Sequence, residues 1–276
     1  MSKKFILICI LFGGLLLSSC NKAKQDANSG SATNSVEQKD TAITQTANTA
    51  AQIFAKQQVP VLCYHRISDG AKGDYTVSPA TFSGHMKVLA DSGYHSVSPA
   101  QLYDYLVYNK TLPEKPFVVT FDDSRVEHRT IAAPVLEKYG FRGAFFIMTI
   151  TYNKKNYMTK DQIAELAKAG HTVGLHSWDH TMVTKYKEPA DWQKQVVEPK
   201  KKLEAIVGKP VEYWAYPNGV YDHKGAVELS KYIKIAFSLA TKRDSIQPLQ
   251  SVRRIIVPEC TPQGLLKSMR RSFTGK

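Results

Sequence analysis

The chain has 276 residues, 22% charged and 43% hydrophobic, with 16 glycines and 13 prolines. That is the composition of a soluble globular protein, and it excludes collagen, a coiled coil and a wholly disordered chain. Lysine and arginine number 37 against 24 acidic residues, a formal charge of +13; the charge is scattered, which fits simple solubility, an acidic envelope surface or nucleic acid.

In chain order, Lys3 and Lys4 precede an apolar run over residues 5–17, interrupted by Gly13 and Gly14. The run is shorter than the roughly 20 residues a membrane-spanning helix needs. It leads into Leu17-Ser18-Ser19-Cys20, which resembles a bacterial lipobox. Residues 1–19 are therefore expected to be a lipoprotein signal peptide, with Cys20 the lipidated first residue of the mature chain. An exported, lipidated chain meets little nucleic acid, so that reading of the charge is set aside. Residues 20–57 are rich in Ser, Thr, Ala, Asn and Gln, too polar to offset their own ordering entropy. They read as a flexible linker with room for a short helix around 47–55.

From residue 58 to residue 276 the pattern predicts one domain of strands alternating with helices. Apolar runs at 61–64, 95–97, 117–121, 144–148, 172–176, 213–216, 235–238 and 254–257 read as buried strands. Segments 79–91, 99–108, 131–139, 160–169, 190–207, 224–231 and 262–271 read as helices, several ending in stop signals such as Gly140 and Gly170. Such alternation predicts an α/β fold with a mainly parallel sheet, a distorted (β/α) barrel of seven or eight strands, with an open doubly wound sheet as the alternative. No phosphate-binding glycine loop or dinucleotide fingerprint is present. Of the two cysteines beyond Cys20, Cys63 lies in an apolar run and reads as a buried free thiol; export would also allow a disulfide with Cys260.

Parallel barrels place chemistry at the C-terminal ends of their strands. The run 117–121 ends in Asp122-Asp123, and 172–176 ends in His176, with His180 four residues on. The run 61–64 leads to His65, and 213–216 leads to Pro217-Asn218-Gly219. Two histidines at i, i+4 and one carboxylate make a metal set with open positions for water or substrate. Two adjacent carboxylates repel unless a cation or a shared proton intervenes, so one can hold the metal while the other serves as a base. An N-cap role is the plain alternative for either.

Thr120-Phe121-Asp122-Asp123, His176-Ser177-Trp178-Asp179-His180 and Ala215-Tyr216-Pro217-Asn218-Gly219 resemble, in order and separation, the first three motifs of the polysaccharide deacetylase (NodB-homology, carbohydrate esterase family 4) domain. Pro60-Val61-Leu62-Cys63-Tyr64-His65 is similar to the start of the permuted branch, which includes bacterial poly-β-1,6-N-acetylglucosamine deacetylases; there the Leu-x-His motif opens the domain instead of closing it. After Val257 the chain reads Gly264-Leu265-Leu266-Lys267, with no such motif. The resemblance covers about residues 59–273.

The resemblance implies a NodB-like barrel in which Asp123, His176 and His180 hold a divalent metal, zinc first, with cobalt or nickel as alternatives. It implies Asp122 as general base, His65 as general acid and an oxyanion beside a backbone N–H near Asn218; Trp178 and Tyr216, beside these positions, are candidates to meet the sugar, with packing beneath the loops the equal alternative. Two departures stand out. Ala215 replaces the arginine that orients the base, a role expected here of Arg254 in preference to Arg253. Ser124-Arg125 replaces a glycine and an aromatic residue. His128 and His171 read as structural. The implied function is hydrolysis of N-acetyl groups from an amino-sugar polymer by a monomeric enzyme, lipid-anchored at the bacterial envelope. Poly-N-acetylglucosamine leads among substrates, with peptidoglycan and chitin oligomers as alternatives. A non-catalytic glycan-binding module with a relic site is the alternative of another class.

Overall fold

The computed structural model describes residues 46–70, 73 and 75–273. The apolar leader, Cys20 and most of the expected linker lie outside them. Eleven strands occur among the described residues: β1 (Val61–Tyr64), β2 (Arg66–Ile67), β3 (Thr76–Val77), β4 (His95–Ser96), β5 (Pro116–Phe121), β6 (Ala144–Ile147), β7 (Thr172–Leu175), β8 (Tyr213–Ala215), β9 (Ile235–Ser238), β10 (Val252–Arg253) and β11 (Ile255–Ile256).

The main sheet is parallel throughout and runs β10-β9-β8-β7-β6-β5-β1-β11. Its two edge strands, β10 and β11, are separated in sequence by Arg254 alone. The edges are thus one continuous piece of chain: the Arg254 N–H donates to Ser238 O of β9 at 2.9 Å and the Val257 N–H to Cys63 O of β1 at 3.0 Å. With that piece counted once, seven staves form a nearly closed barrel. The predicted strand 95–97 is not a stave: β4 pairs only with the first two residues of β5, His95 opposite Pro116 and Ser96 opposite Phe117. A π-helical turn at His128–Ala132 overlaps the start of the predicted helix 131–139, and the predicted helix 190–207 contains one at Gln193–Val197.

The staves read as unbroken apolar runs because both their faces are covered; β1, β6 and β9 are buried at every position. Alternation still sorts the side chains. Val61, Val118, Ala144, Phe146, Ala215, Ile235 and Phe237 fill the barrel interior with Ile53, Leu102 and Leu106. Tyr64, Phe121, Phe145, Leu175, Trp214 and Tyr216 face outward beneath the helices. Gly174 leaves the space that Phe146 fills, since a Cβ there would lie 2.5 Å from that ring and 2.8 Å from Tyr213 O.

Helix starts follow the sequence signals. Ser78, Ser98, Thr159 and Asp222 accept a backbone N–H as N-caps, each worth about 1 kcal/mol. Thr49 and Gln52 form a capping box that opens the helix Ala50–Ala55. Asn48 N–H donates to Val107 O at 2.7 Å, and Ile53 is buried in the interior cluster. This end of the stretch read from sequence as linker packs onto the folded domain.

Candidate active site

Thr120, Asp122 and His176 follow the interior-facing positions of their staves, and Cys63 occupies the same register on β1. The polar residues are therefore the last rung of an otherwise apolar barrel. Asp123, Ser124, Ser177, His180 and Asn218 all have positive φ (74°, 58°, 64°, 71° and 57°). Such left-handed turns in non-glycine residues cluster where a backbone is bent to aim side chains. Ser124 secures its turn by accepting Met148 N–H on Oγ at 2.7 Å and Met158 N–H on its carbonyl at 3.0 Å.

Asp122 is 1% exposed. Arg254, reaching in from the seam between β10 and β11, clamps it with Nη1 on Oδ1 and Nη2 on Oδ2, each at 2.7 Å. Arg254 also donates to Thr120 Oγ1 at 3.1 Å. Arg253 instead points away, its guanidinium donating to the carbonyls of Thr241 and Ser272. Burial alone would raise the Asp122 pKa; the Arg254 guanidinium, with His176 and His65, outweighs it and holds the carboxyl far below the usual range. Asp122 is thus ionised at any working pH, with its geometry fixed by a bidentate fork.

Asp123, His176 and His180 converge beside it. His176 Nε2 and His180 Nε2 both lie 3.5 Å from Asp123 Oδ1, and one donor atom from each of the three lies within 4.8 Å of the others. His176 Nδ1 donates to Ala215 O at 2.7 Å, which fixes the tautomer and turns Nε2 toward the cleft as an acceptor. That Nε2 is buried and has no hydrogen-bond partner, an arrangement that would be costly unless a ligand satisfies it. Two imidazoles and a carboxylate on one side, with a cleft on the other, fit a divalent metal with open positions. Burial would lower the His176 pKa, but Asp122 and Asp123 outweigh it and raise it. Burial and the neighbouring His176 lower that of His180.

His65 stands on the other side of Asp122, its Nε2 3.9 Å from Oδ2. Burial lowers its pKa against the pull of Asp122 and Asp123. Two residues that sequence reasoning did not assign to the site support this pair. Cys63 Sγ–H donates to Asp122 Oδ2 at 3.6 Å, and His128 Nε2 donates to the His65 carbonyl at 2.5 Å. The only available signal for Cys63 was its place two residues before His65 on one strand face. Cys63 and Cys260 are both free thiols. His171 accepts Gly143 N–H and meets Glu137, a structural role as expected.

These groups open into a cleft of about 660 Å³ lined by His65, Asp122, Asp123, His180 and Asn218 among others. Two expected sugar contacts are not on it. Tyr216 is fully buried on the outer face of β8's continuation, packed between Trp214 and Tyr221; because Ala215 points inward, its neighbour must point outward. Trp178 does not line the cleft either; it lies under Lys194, whose ammonium is 4.6 Å from the ring centre.

The family model for polysaccharide deacetylase matches residues 109–233. The chain is 29% identical over 237 residues to the candidate polysaccharide deacetylase YxkH of Bacillus subtilis, covering 81% of each. It is 25% identical over 213 residues to the poly-β-1,6-N-acetyl-D-glucosamine N-deacetylase of Staphylococcus aureus, covering 70% of this chain and 72% of that one. The solved structure of the candidate polysaccharide deacetylase BA0330 from Bacillus anthracis superposes with a TM-score of 0.68 at 30% identity, over 77% of this chain and 69% of that one. With its barrel, its strand-end carboxylates and histidines and these relatives, the chain belongs to the polysaccharide deacetylase family and is a deacetylase hydrolase of that family.

Proposed function

We propose that this chain removes N-acetyl groups from an amino-sugar polymer, poly-β-1,6-N-acetylglucosamine first, at the bacterial envelope. The observation that carries the reading is the adjacency of two differently prepared carboxylates: Asp122 clamped by Arg254, and Asp123 facing His176 and His180. Asp123, His176 and His180 would hold a divalent metal, for which zinc is the first choice and cobalt or nickel alternatives. A divalent cation there supplies Lewis acidity toward an amide carbonyl and toward water.

The chain's own groups divide the proton work. Asp122, ionised and immobile, accepts the proton of the attacking water. Arg254 keeps both carboxylate oxygens in place while that proton arrives. His65, on the same cleft 3.9 Å from Asp122, delivers a proton to the departing nitrogen. The positive-φ turn places Asn218 at the cleft edge, where a backbone N–H such as its own would stabilise an oxyanion. The products are a sugar amine and acetate. The permuted order of the motifs and the similarity to the S. aureus enzyme support the β-1,6 polymer; the lipobox-like Cys20 supports membrane attachment.

The test is acetate and free-amine release from β-1,6- and β-1,4-linked N-acetylglucosamine oligomers by protein stripped of metal and reloaded with zinc, cobalt or nickel. Metal-dependent release that Asp122→Asn reduces by a factor of about 10²–10⁴ is the expected result, with the faster linkage naming the polymer. Oligomers that bind without any release would favour the relic-site reading. Palmitate labelling lost in Cys20→Ser is expected; equal labelling of both proteins would refute the anchor.

A further inference from the structure

The pair Ser124-Arg125 directly follows the two carboxylates, and the mechanism above uses neither side chain. Ser124 is occupied in holding its turn. Arg125 is planted at the cleft: its backbone pairs with Tyr157 and its guanidinium lies 5.1 Å from the centre of that ring. Its nearest carboxylate, Glu127, is 3.9 Å from Nε. Lys154, whose carbonyl accepts Tyr157 N–H at 3.1 Å, lines the same cleft. Arg66, next to His65, lines it as well. Among the described residues, no ion pair forms at Lys154 or Arg66.

Of the acidic groups at or beside the cleft, Asp122 is paired with Arg254, Asp123 faces the two histidines and Glu127 lies against Arg125, while Asp179, held by the backbone and hydroxyl of Thr181, stays a carboxylate; the cations that line the cleft nonetheless include two with no such pair. Three cations from separate segments thus surround a cleft whose reaction turns a neutral acetamide into an amine that is protonated around neutral pH. A polymer once deacetylated carries that ammonium to the rim whenever a neighbouring sugar is presented. Like charges at close range reject a ligand, and the rejection weakens with salt because the screening length is about 8 Å at physiological ionic strength.

We infer that Arg125, Lys154 and Arg66 form an electrostatic gate against sugars flanked by a free amine, so that the enzyme acts on residues with intact acetamide neighbours and leaves its product amines spaced along the polymer. The inference rests on the N-deacetylase reading and adds a substrate rule to it.

The experiment compares two β-1,6-linked N-acetylglucosamine tetramers, one fully acetylated and one with a single internal free amine, using the full chain loaded with zinc. At low salt and slightly acidic pH, kcat/KM is expected to favour the fully acetylated tetramer about tenfold, or about 1.4 kcal/mol. The ratio should approach one at about 0.5 M salt, and also at alkaline pH, where the amine is neutral. Arg125→Gln should shrink it, and Lys154→Glu, at an exposed position, should shrink or invert it. Equal values at low salt, or a preference that survives salt and both substitutions, would overturn the gate. Calorimetric titration of Asp122→Asn with the same tetramers separates the two readings. Tighter binding of the acetylated tetramer without acetate release by the unsubstituted chain would sink the N-deacetylase reading and leave the gate standing; equal affinities, or no binding of either, would sink the gate.

Discussion

Replacing Arg254 by methionine tests the clamp that organises the site. The substitution removes both 2.7 Å bonds to Asp122 and leaves a carboxylate 1% exposed. Its remaining neighbours are the Cys63 thiol at 3.6 Å and the His65 and His176 rings at 3.9 and 4.0 Å. Breaking a buried ion pair from one side costs about 3–5 kcal/mol, because the survivor keeps its desolvation cost. For a domain of this size each kcal/mol lowers Tm by about 2–4 °C, so a fall of about 6–20 °C is expected. The pH dependence should change sign as well. With Arg254 present, the depressed Asp122 pKa contributes stability above the unfolded value of about 3.9 that is lost as pH falls. Without it, burial dominates and raises the pKa, so the same group favours the folded state at low pH and opposes it as pH rises. Thermal melts between about pH 4 and about pH 8, with a double variant also carrying Asp122→Asn, measure both effects. The double variant should recover at least about 2 kcal/mol relative to additivity. A loss below about 1 kcal/mol with an unchanged pH dependence would refute the argument, since the pair would then behave like a surface bridge.

Three further outcomes follow from the structure. His176→Ala should abolish stoichiometric zinc binding and with it acetate release, because it deletes the buried unpaired Nε2; unchanged zinc content by atomic absorption would contradict that assignment. His85, His128 and His171 are buried with pKa values lowered mainly by desolvation. The unfolded chain binds their protons below about pH 6.5 and the folded chain does not, so stability should fall by up to about 1.4 kcal/mol per pH unit per histidine on acidification. His176, raised, opposes this singly; a Tm that stays flat from about pH 7.5 down to about pH 5 would be the contrary result. Gly174→Ala should cost about 1–3 kcal/mol in chemical denaturation, since the added methyl meets Phe146 and the backbone of β8 at once; a neutral effect would mean that the interior is looser than described.

The site was more legible in the sequence than the barrel. Asp122, Asp123, His176 and His180 interrupt apolar runs, and an ionisable residue at the end of a buried strand is conspicuous. Arg254 could be chosen over Arg253 only as a preference, because two adjacent arginines at a strand start differ solely in which face they take. The structure separates them by the seam: Arg254 points in to Asp122, Arg253 out to Ser272. Tyr216 could not be placed on the cleft or beneath the helices for the related reason that staves buried on both faces show no polar alternation from which inward and outward could be read. The stave count was ambiguous because β4 and the true staves share the same local pattern, and only the pairing of β4 with the first two residues of β5 excludes it. His128 reaching the His65 carbonyl is a tertiary contact with no local trace.

The place of β1 in the ring bears on how the molecule is made. The strand that leads into His65 is the first of the described staves to leave the ribosome, yet its ring neighbours are β5 and β11, the latter about 190 residues further along. Its slot therefore stays half empty until β11 has been made, and the long-range closure this requires belongs to the slow class of folding steps. The slot is also indifferent to arrival order. A polypeptide delivering this strand last instead of first would seat it between the same two neighbours and present the same histidine to the same carboxylate.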